Sequence, residues 1–175
     1  MQIETERLVL RTPSPEDADD LLDFVGDPEV MRWIGGEAGD RDAAVAAIER
    51  WLSRWEEDGI GHFSVVRNDR VIGRVGFLVW DRRTWQSSSY AEAGDAAETE
   101  LGWTLAREHW GHGYATEAAL AARDWAYEER GIGRVISLIA PDNARSIRVA
   151  EKLGAAPQET ISTFHGPATV WVHPR

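Results

Sequence analysis

The sequence predicts a single α/β or α+β domain spanning residues 1–175, in which helices cover a mixed sheet. Apolar residues recur with two periods, one alternating and one helical, in the order β-α-α-α-β-β-β-α-β-α-β-β. Glycine, proline and Asn/Asp stand at the junctions between these runs. The 175 residues are 43% hydrophobic, enough for one sizeable core, with neither an internal repeat nor a low-complexity tail.

Leu8 and Leu10 alternate over residues 7–11 and open the chain as a strand. Pro13-Ser14-Pro15 breaks it: Ser14 suits an N-cap, Pro15 the first helical position, and acidic residues the first turn of a helix over 16–25. Asp27-Pro28 starts a short helical segment through Trp33, and Gly35, Gly36 and Gly39 form a flexible joint. Over 42–58, Val45, Ile48, Trp51, Leu52 and Trp55 share one helical face and Arg50, Arg54 and Glu57 the other, with Gly59 as the stop. Strands over 62–67 and 71–80 meet at Asn68-Asp69, a hairpin signal. Residues 82–97 are polar and without period; they read as a loop or an irregular hairpin extension, either a lid or a disordered stretch. A strand over 99–105 runs into a turn with Gly111 and Gly113, and a helix follows whose small stripe includes Ala115, Ala118, Ala119 and Ala122. Branched residues over 134–140 suit a buried strand. Pro141-Asp142-Asn143 ends it and caps a helix over 144–153, closed by Gly154. Two last strands, 159–164 and 169–173, join through Gly166-Pro167.

Composition removes several chemistries. There are no cysteines, hence no disulfide, thiolate metal site or cysteine nucleophile. A net charge of −11 argues against general nucleic-acid binding, which needs a basic footprint. It suits a cationic acceptor, and serves solubility equally well. The start, MQIETERLVLRT, has no apolar signal core, and no apolar run reaches membrane-span length, so a cytoplasmic protein without a membrane partner is expected. His62, His109, His112, His165 and His173 lack ligand spacing, so no metal is expected.

The segment from Glu98 to Ala119 carries the chemistry. A strand, a two-glycine turn and an immediate helix present backbone N–H groups at a helix N-terminus, where they and the helix dipole favour an anion such as phosphate. Trp110-Gly111-His112-Gly113-Tyr114-Ala115 lacks the lysine of a Walker loop and the third glycine of a dinucleotide fingerprint. By spacing alone it is either an anion site or a turn that binds nothing. Glu98 and Glu100 stand two apart on the strand and share a face if the strand is regular, so either is a candidate base.

Five separated motifs in order, ETERLVLRTPSPEDADDL, DPEVMRWIG, VIGRVGF, ELGWTLAREHWGHGYATEAA and PDNARSIRVAEKLGA, make nearly the whole chain resemble the GNAT family of N-acetyltransferases. Within that family it resembles the ribosomal-protein N-terminal acetyltransferase (Rim-type) branch. The resemblance implies the GNAT fold, a mostly antiparallel sheet of about seven strands flanked by helices. It implies transfer of an acetyl group from acetyl-CoA to a primary amine by direct attack in a ternary complex. The amine belongs to a protein N-terminus or a small molecule, and homodimerisation is left open. The family's loop pattern falls on Trp110, Gly113 and Ala115, with Trp110 in place of its Gln or Arg. It implies pyrophosphate on the N–H groups of His112, Gly113, Tyr114, Ala115 and Thr116, with Gly111 also a coenzyme-binding residue, and the pantetheine arm along Trp103, Thr104 and Leu105. A strand N–H near Trp103 serves as oxyanion donor, and a bulge in that strand is usual. His109, His112, Arg145 and Arg148 offset the negative field there.

The match favours Glu100 as base or water-organiser. The family's usual tyrosine acid falls on Ala150, whereas Ser146 matches the branch's serine and becomes the donor to the thiolate. Asn143 becomes a coenzyme-arm contact, a plain N-cap, or both. Tyr114 and Tyr127 are secondary acids. Met31, Trp33, Trp80 and Trp85 are candidates to line the acceptor pocket. Without the tyrosine, a non-catalytic acyl-CoA-binding module is the alternative.

Overall fold

Asn68 and Asp69 take left-handed conformations, with φ of 48° and 61°, and fold β3 (His62–Arg67) onto β4 (Arg70–Asp81) as the hairpin signal predicts. The computed structural model, which describes residues 1–34, 36–164 and 166–175, builds one sheet outward from this hairpin. Gly35 of the expected joint and His165 of the histidine set lie outside the described residues.

The other strands are β1 (Gln2–Glu4), β2 (Val9–Arg11), β5 (Gln86–Ser88), β6 (Ala97–Leu105), β7 (Val135–Ile139), β8 (Ala156–Thr163) and β9 (Gly166–Val172). Their order is β1-β2-β3-β4-β6-β7-β9-β8, with β5 paired to the end of β4. Among the described residues nine strands therefore replace the expected seven or so. The two additions, β1 and β5, are three-residue edge pieces too short and polar to show a period. Neighbours are antiparallel except β6 and β7, which run parallel and pair only at Thr99–Val135 and Glu100–Ile136. Beyond Glu100 the two strands part.

Residues 82–97 take the second of the two expected forms, an irregular hairpin extension in which β5 pairs back onto the end of β4. After β5, Ser89 caps the short helix α4 (Tyr90–Ala93) by accepting from the Glu92 N–H at 3.2 Å, and a single 3-10 turn leads into β6. Arg54 ties the segment down by donating to the Ser88 carbonyl at 3.0 Å. Local caps and one arginine do this work, which a periodicity reading does not see.

Helices divide by sheet face. Helix α5 (Tyr114–Glu128) crosses between β6 and β7, and its small stripe of Ala118, Ala119, Ala122 and Ala126 lies against Phe63, Phe77 and Leu101. Trp125 meets the Phe63 ring edge-on at 5.3 Å. Each of these buried phenylalanines contributes roughly 1.5–3 kcal/mol. Helix α6 (Ala144–Lys152) follows β7 and packs Ala150 beside Ile139 and Trp171. The other face is covered by α1 (Ala18–Val25), α2 (Pro28–Met31) and α3 (Arg41–Asp58) through Leu21, Phe24, Val30 and Ile48. Ser14 and Asp17 form a reciprocal capping box ahead of α1. Asp17 also reaches the sheet, accepting from Arg11 on β2 and from Ser64 Oγ on β3 at 2.6 Å.

Candidate active site

The parting of β6 and β7 opens a cleft of about 880 Å³. It runs from the N-terminus of α5 and the first turns of α6, past both strand edges, to the α1–α3 side of the sheet. Ser137 on β7 stands where ladder bonds cease. Its hydroxyl donates to the Leu101 carbonyl at 2.6 Å and lies 2.8 Å from His173 Nε2, which is then the protonated ring nitrogen. Burial, helped by the charge of Arg123, pulls His173 down to about 4, so the ring is neutral at pH 7.

At the loop end, Gly111 and Gly113 have φ of 80° and 83°, conformations that glycine adopts without strain. The N-cap side chains of α2, α3, α4 and α6 each accept from their own first turn, whereas α5 starts on Gly113 and has no side-chain cap. Its first N–H groups, on Tyr114, Ala115 and Thr116, thus stay available at the cleft wall. Trp110 secures the loop: its indole N–H donates to the Leu105 carbonyl at 2.8 Å, and the Arg145 guanidinium lies 4.4 Å over its ring. An aromatic anchor therefore stands where the family pattern has a polar side chain. Glu117 fixes the same loop from outside, taking the Arg7 amide at 2.8 Å and its guanidinium at 2.6 Å, while Arg7 also donates to the His112 carbonyl.

At the other end, Trp80 Nε1 donates to Glu100 Oε2 at 2.6 Å. Burial raises the Glu100 carboxyl above its ordinary range; the Trp80 bond, the charge of Arg74 and the Leu138 amide oppose this without cancelling it. Glu98 is committed elsewhere, paired with Arg134 at 3.0 Å and Arg82 at 3.5 Å, and does not line the cleft. The β4–β6 register runs unbroken from Ala97 to Leu105, so the usual bulge is absent on that side.

The structure gathers most of the sequence-derived residues. Trp103, Thr104 and Leu105 line the middle of the cleft, with Glu100 toward one end and Trp110, Gly111, Gly113, Tyr114, Ala115 and Thr116 at the opposite one. Asn143, Ser146, Arg145 and Arg148 come from α6 and its cap, and Trp33 and Trp80 from the end that holds Glu100. Asn143 Oδ1 accepts from the Ser146 N–H at 3.2 Å, the N-cap role. His112, Met31 and Trp85 do not line it. The His112 ring stacks on Tyr114 at 5.6 Å, and Trp85 packs against Ile136, Ile161 and Val170. Tyr127 donates to the His173 carbonyl at 3.2 Å, away from the cleft. Sequence reading missed His62, Arg74 and Ser137. The signal for Arg74 was present: it is the one charged residue in VIGRVGF, and alternation sets it on the Trp80 face. Among the described residues no group of three His, Asp or Glu is placed to hold a metal ion, and no helix is long and apolar enough to cross a membrane.

The family model for the acetyltransferase (GNAT) domain matches residues 7–156. The uncharacterized N-acetyltransferase p20 of Bacillus licheniformis is 32% identical over 152 residues, covering 85% of this chain and 79% of p20. The crystal structure of an acetyltransferase from Agrobacterium tumefaciens superposes with a TM-score of 0.80 at 27% identity, over 100% of this chain and 95% of that one. The aminoglycoside acetyltransferase AAC(6')-Ib, solved with ribostamycin and coenzyme A, shares the fold with a TM-score of 0.77 at 20% identity, over 97% and 94% of the two chains. The cleft between β6 and β7 is thus built on a shared acetyltransferase scaffold, and the chain belongs to the GNAT acetyltransferase family.

Proposed function

We propose that this chain transfers the acetyl group of acetyl-CoA to a primary amine by direct attack in a ternary complex. The observation that carries the reading is one continuous cleft with an uncapped helix N-terminus at one end and a half-buried carboxylate of raised pKa at the other. The N–H groups of Tyr114, Ala115 and Thr116 suit a pyrophosphate, and the glycines before them allow close approach. The freed edge of β6 at Trp103, Thr104 and Leu105 takes the pantetheine arm, with Asn143 beside it. Acetyl-CoA supplies an activated acyl thioester.

Glu100 receives the proton of the attacking amine, directly or through one water. A raised pKa brings its basicity nearer to neutral pH than that of an ordinary carboxylate. A β6 N–H near Trp103 donates to the carbonyl oxygen as the N–C bond forms. Ser146 donates a hydrogen bond to sulfur as the C–S bond breaks and keeps its proton; the amine's proton goes to Glu100, and the departing thiolate takes one proton from solvent, so that the exchange balances. Trp33 and Trp80 wall the acceptor side. The acceptor is a protein N-terminus, as the Rim-type motifs favour, or a small amine, as in the AAC(6')-Ib complex.

Coenzyme release measured over a panel of amines and peptides, beside calorimetric binding of coenzyme A, tests the reading. Turnover of at least one amine is expected. Tight coenzyme binding with no turnover on any acceptor would instead identify a non-catalytic acyl-CoA-binding module.

A further inference from the structure

The charge of the cleft runs against the charge of the chain. Against a net charge of −11, the described lining residues include Arg32, Arg74, Arg145, Arg148 and Lys152 but only Glu100 and Asp142 as acids. Three of these cations belong to α6, on the side proposed for the nucleotide, and Arg32 pairs with Glu29 at 3.1 Å. Arg74 is unaccounted for.

It stands on β4, on the sheet face that carries Glu100. The register sets Arg74 opposite Thr104 and Leu78 opposite Glu100, and between them Gly76 faces Gly102. A Cβ at Gly102 would meet nothing nearer than Glu100 Oε1 at 3.9 Å, so the sheet floor beside the carboxylate is bare. The Arg74 guanidinium lies 5.7 Å from the centre of the Trp51 ring and contacts His62 Nε2. His62 is buried and held well below its ordinary pKa, by burial first and by Arg74 second, so it is neutral and compensates no charge. Among the described residues no carboxylate lies within ion-pair distance of Arg74; the charge of Glu100 acts on it across the floor between them and raises its pKa, without contact. Burial lowers the guanidinium to about 10, which leaves it charged at neutral pH. Arg74 is half-buried at the cleft wall, and a guanidinium fork matches a carboxylate with two parallel hydrogen bonds.

We propose that Arg74 holds a carboxylate of the acceptor, so that the substrate is a small zwitterionic amine bridging Arg74 and Glu100 over the bare floor at Gly102. The proposal rests on the transferase reading above and names its acceptor class. Four residues along β4 span about 13 Å, and both side chains reach into that gap. The remaining span suits a spacer of a few bonds between amine and carboxylate.

The test offers amines in pairs, with the carboxylate free or blocked as the carboxamide: glycine and glycinamide, β-alanine and β-alaninamide, γ-aminobutyrate and its amide. Coenzyme release is measured with wild type, Arg74→Gln and Arg74→Lys. Wild type is expected to favour the carboxylate of the best pair by about 10–100-fold in kcat/KM, mainly through KM. Arg74→Gln loses this preference and Arg74→Lys keeps part of it, while coenzyme A affinity by calorimetry stays within about twofold in both, as for a folded protein. Equal rates within every pair, retained preference in Arg74→Gln, or ribostamycin or an amidated peptide outrunning every carboxylate overturns the proposal. Should no amine turn over, calorimetry of the same pairs with the coenzyme-loaded protein separates the two ideas. Selective carboxylate binding upholds the Arg74 site while the transferase reading falls, and unselective binding overturns the Arg74 site itself.

Discussion

Asp17→Asn removes one charge from the joint that holds α1 to the sheet, and its cost can be worked from the contacts. Asp17 is 3% exposed and accepts from Arg11 Nη1 at 2.9 Å, Ser64 Oγ at 2.6 Å and the Ser14 N–H at 3.0 Å. Burial pushes its carboxyl up, but the bonds from Arg11, Ser64 and Ser14 outweigh that and hold it below its ordinary value. Removing one partner of a buried ion pair costs about 3–5 kcal/mol. Arg11 is 33% exposed, so water solvates it in the variant, and asparagine retains an acceptor oxygen; the loss is then about 2–3 kcal/mol. At about 3 °C per kcal/mol for a domain of this size, Tm falls by about 6–9 °C at pH 7.

The pH dependence follows from the direction of the shift. A depressed folded pKa means that the stabilisation is present above the unfolded value and is lost as pH falls through the folded one. Thermal melts by circular dichroism at neutral and strongly acid pH should therefore show the gap between wild type and variant closing in acid. An equal gap at both pH values refutes the charge-based account, and a gap under about 2 °C at neutral pH refutes the ion pair's importance.

Trp110→Phe keeps a ring beneath Arg145 and loses the N–H that holds the Leu105 carbonyl. Coenzyme A affinity by calorimetry is expected to weaken about fivefold, with Tm nearly unchanged. Ser137→Ala leaves the buried Leu101 carbonyl and His173 Nε2 without their shared hydroxyl. Urea unfolding should show a loss of about 1–3 kcal/mol, and KM for acetyl-CoA should rise because the tie from Ser137 on β7 to Leu101 on β6, which sets the cleft wall, is gone.

Local chemistry that is also local in sequence was legible. The capping box at Ser14, the left-handed pair Asn68-Asp69 and the glycine turn before α5 all appear where their residues require them. The cleft was legible only as a set of motifs. Nothing in residues 97–105 says that β7 pairs at two positions and then departs, since that depends on Ser137 and His173, far along the chain. Trp110 could not be explained from the pattern because its partners, the Leu105 carbonyl and Arg145, meet only in the fold. The two glutamates were equivalent by alternation. Arg134 and Arg82 separate them by engaging Glu98, leaving Glu100 to Trp80. Trp85 shows the reverse: an acceptor-wall candidate by composition, it turns instead with φ of 53° onto β7, β8 and β9.

That Glu100 takes the proton of the acceptor amine is the central claim, and the pH profile of kcat/KM for wild type and Glu100→Gln tests it most directly. With its pKa raised by burial, wild type should lose activity in acid along a limb that lies above the ordinary carboxylate value of 4.5. Glu100→Gln should be about 100-fold slower at neutral pH and lack that limb, with coenzyme A binding intact. Its Tm should match or exceed that of wild type. A raised folded pKa means that stabilisation by the protonated carboxyl is lost as pH rises through it, and glutamine carries no such charge. A Glu100→Gln variant that retains both the wild-type rate and the acid limb would contradict the account.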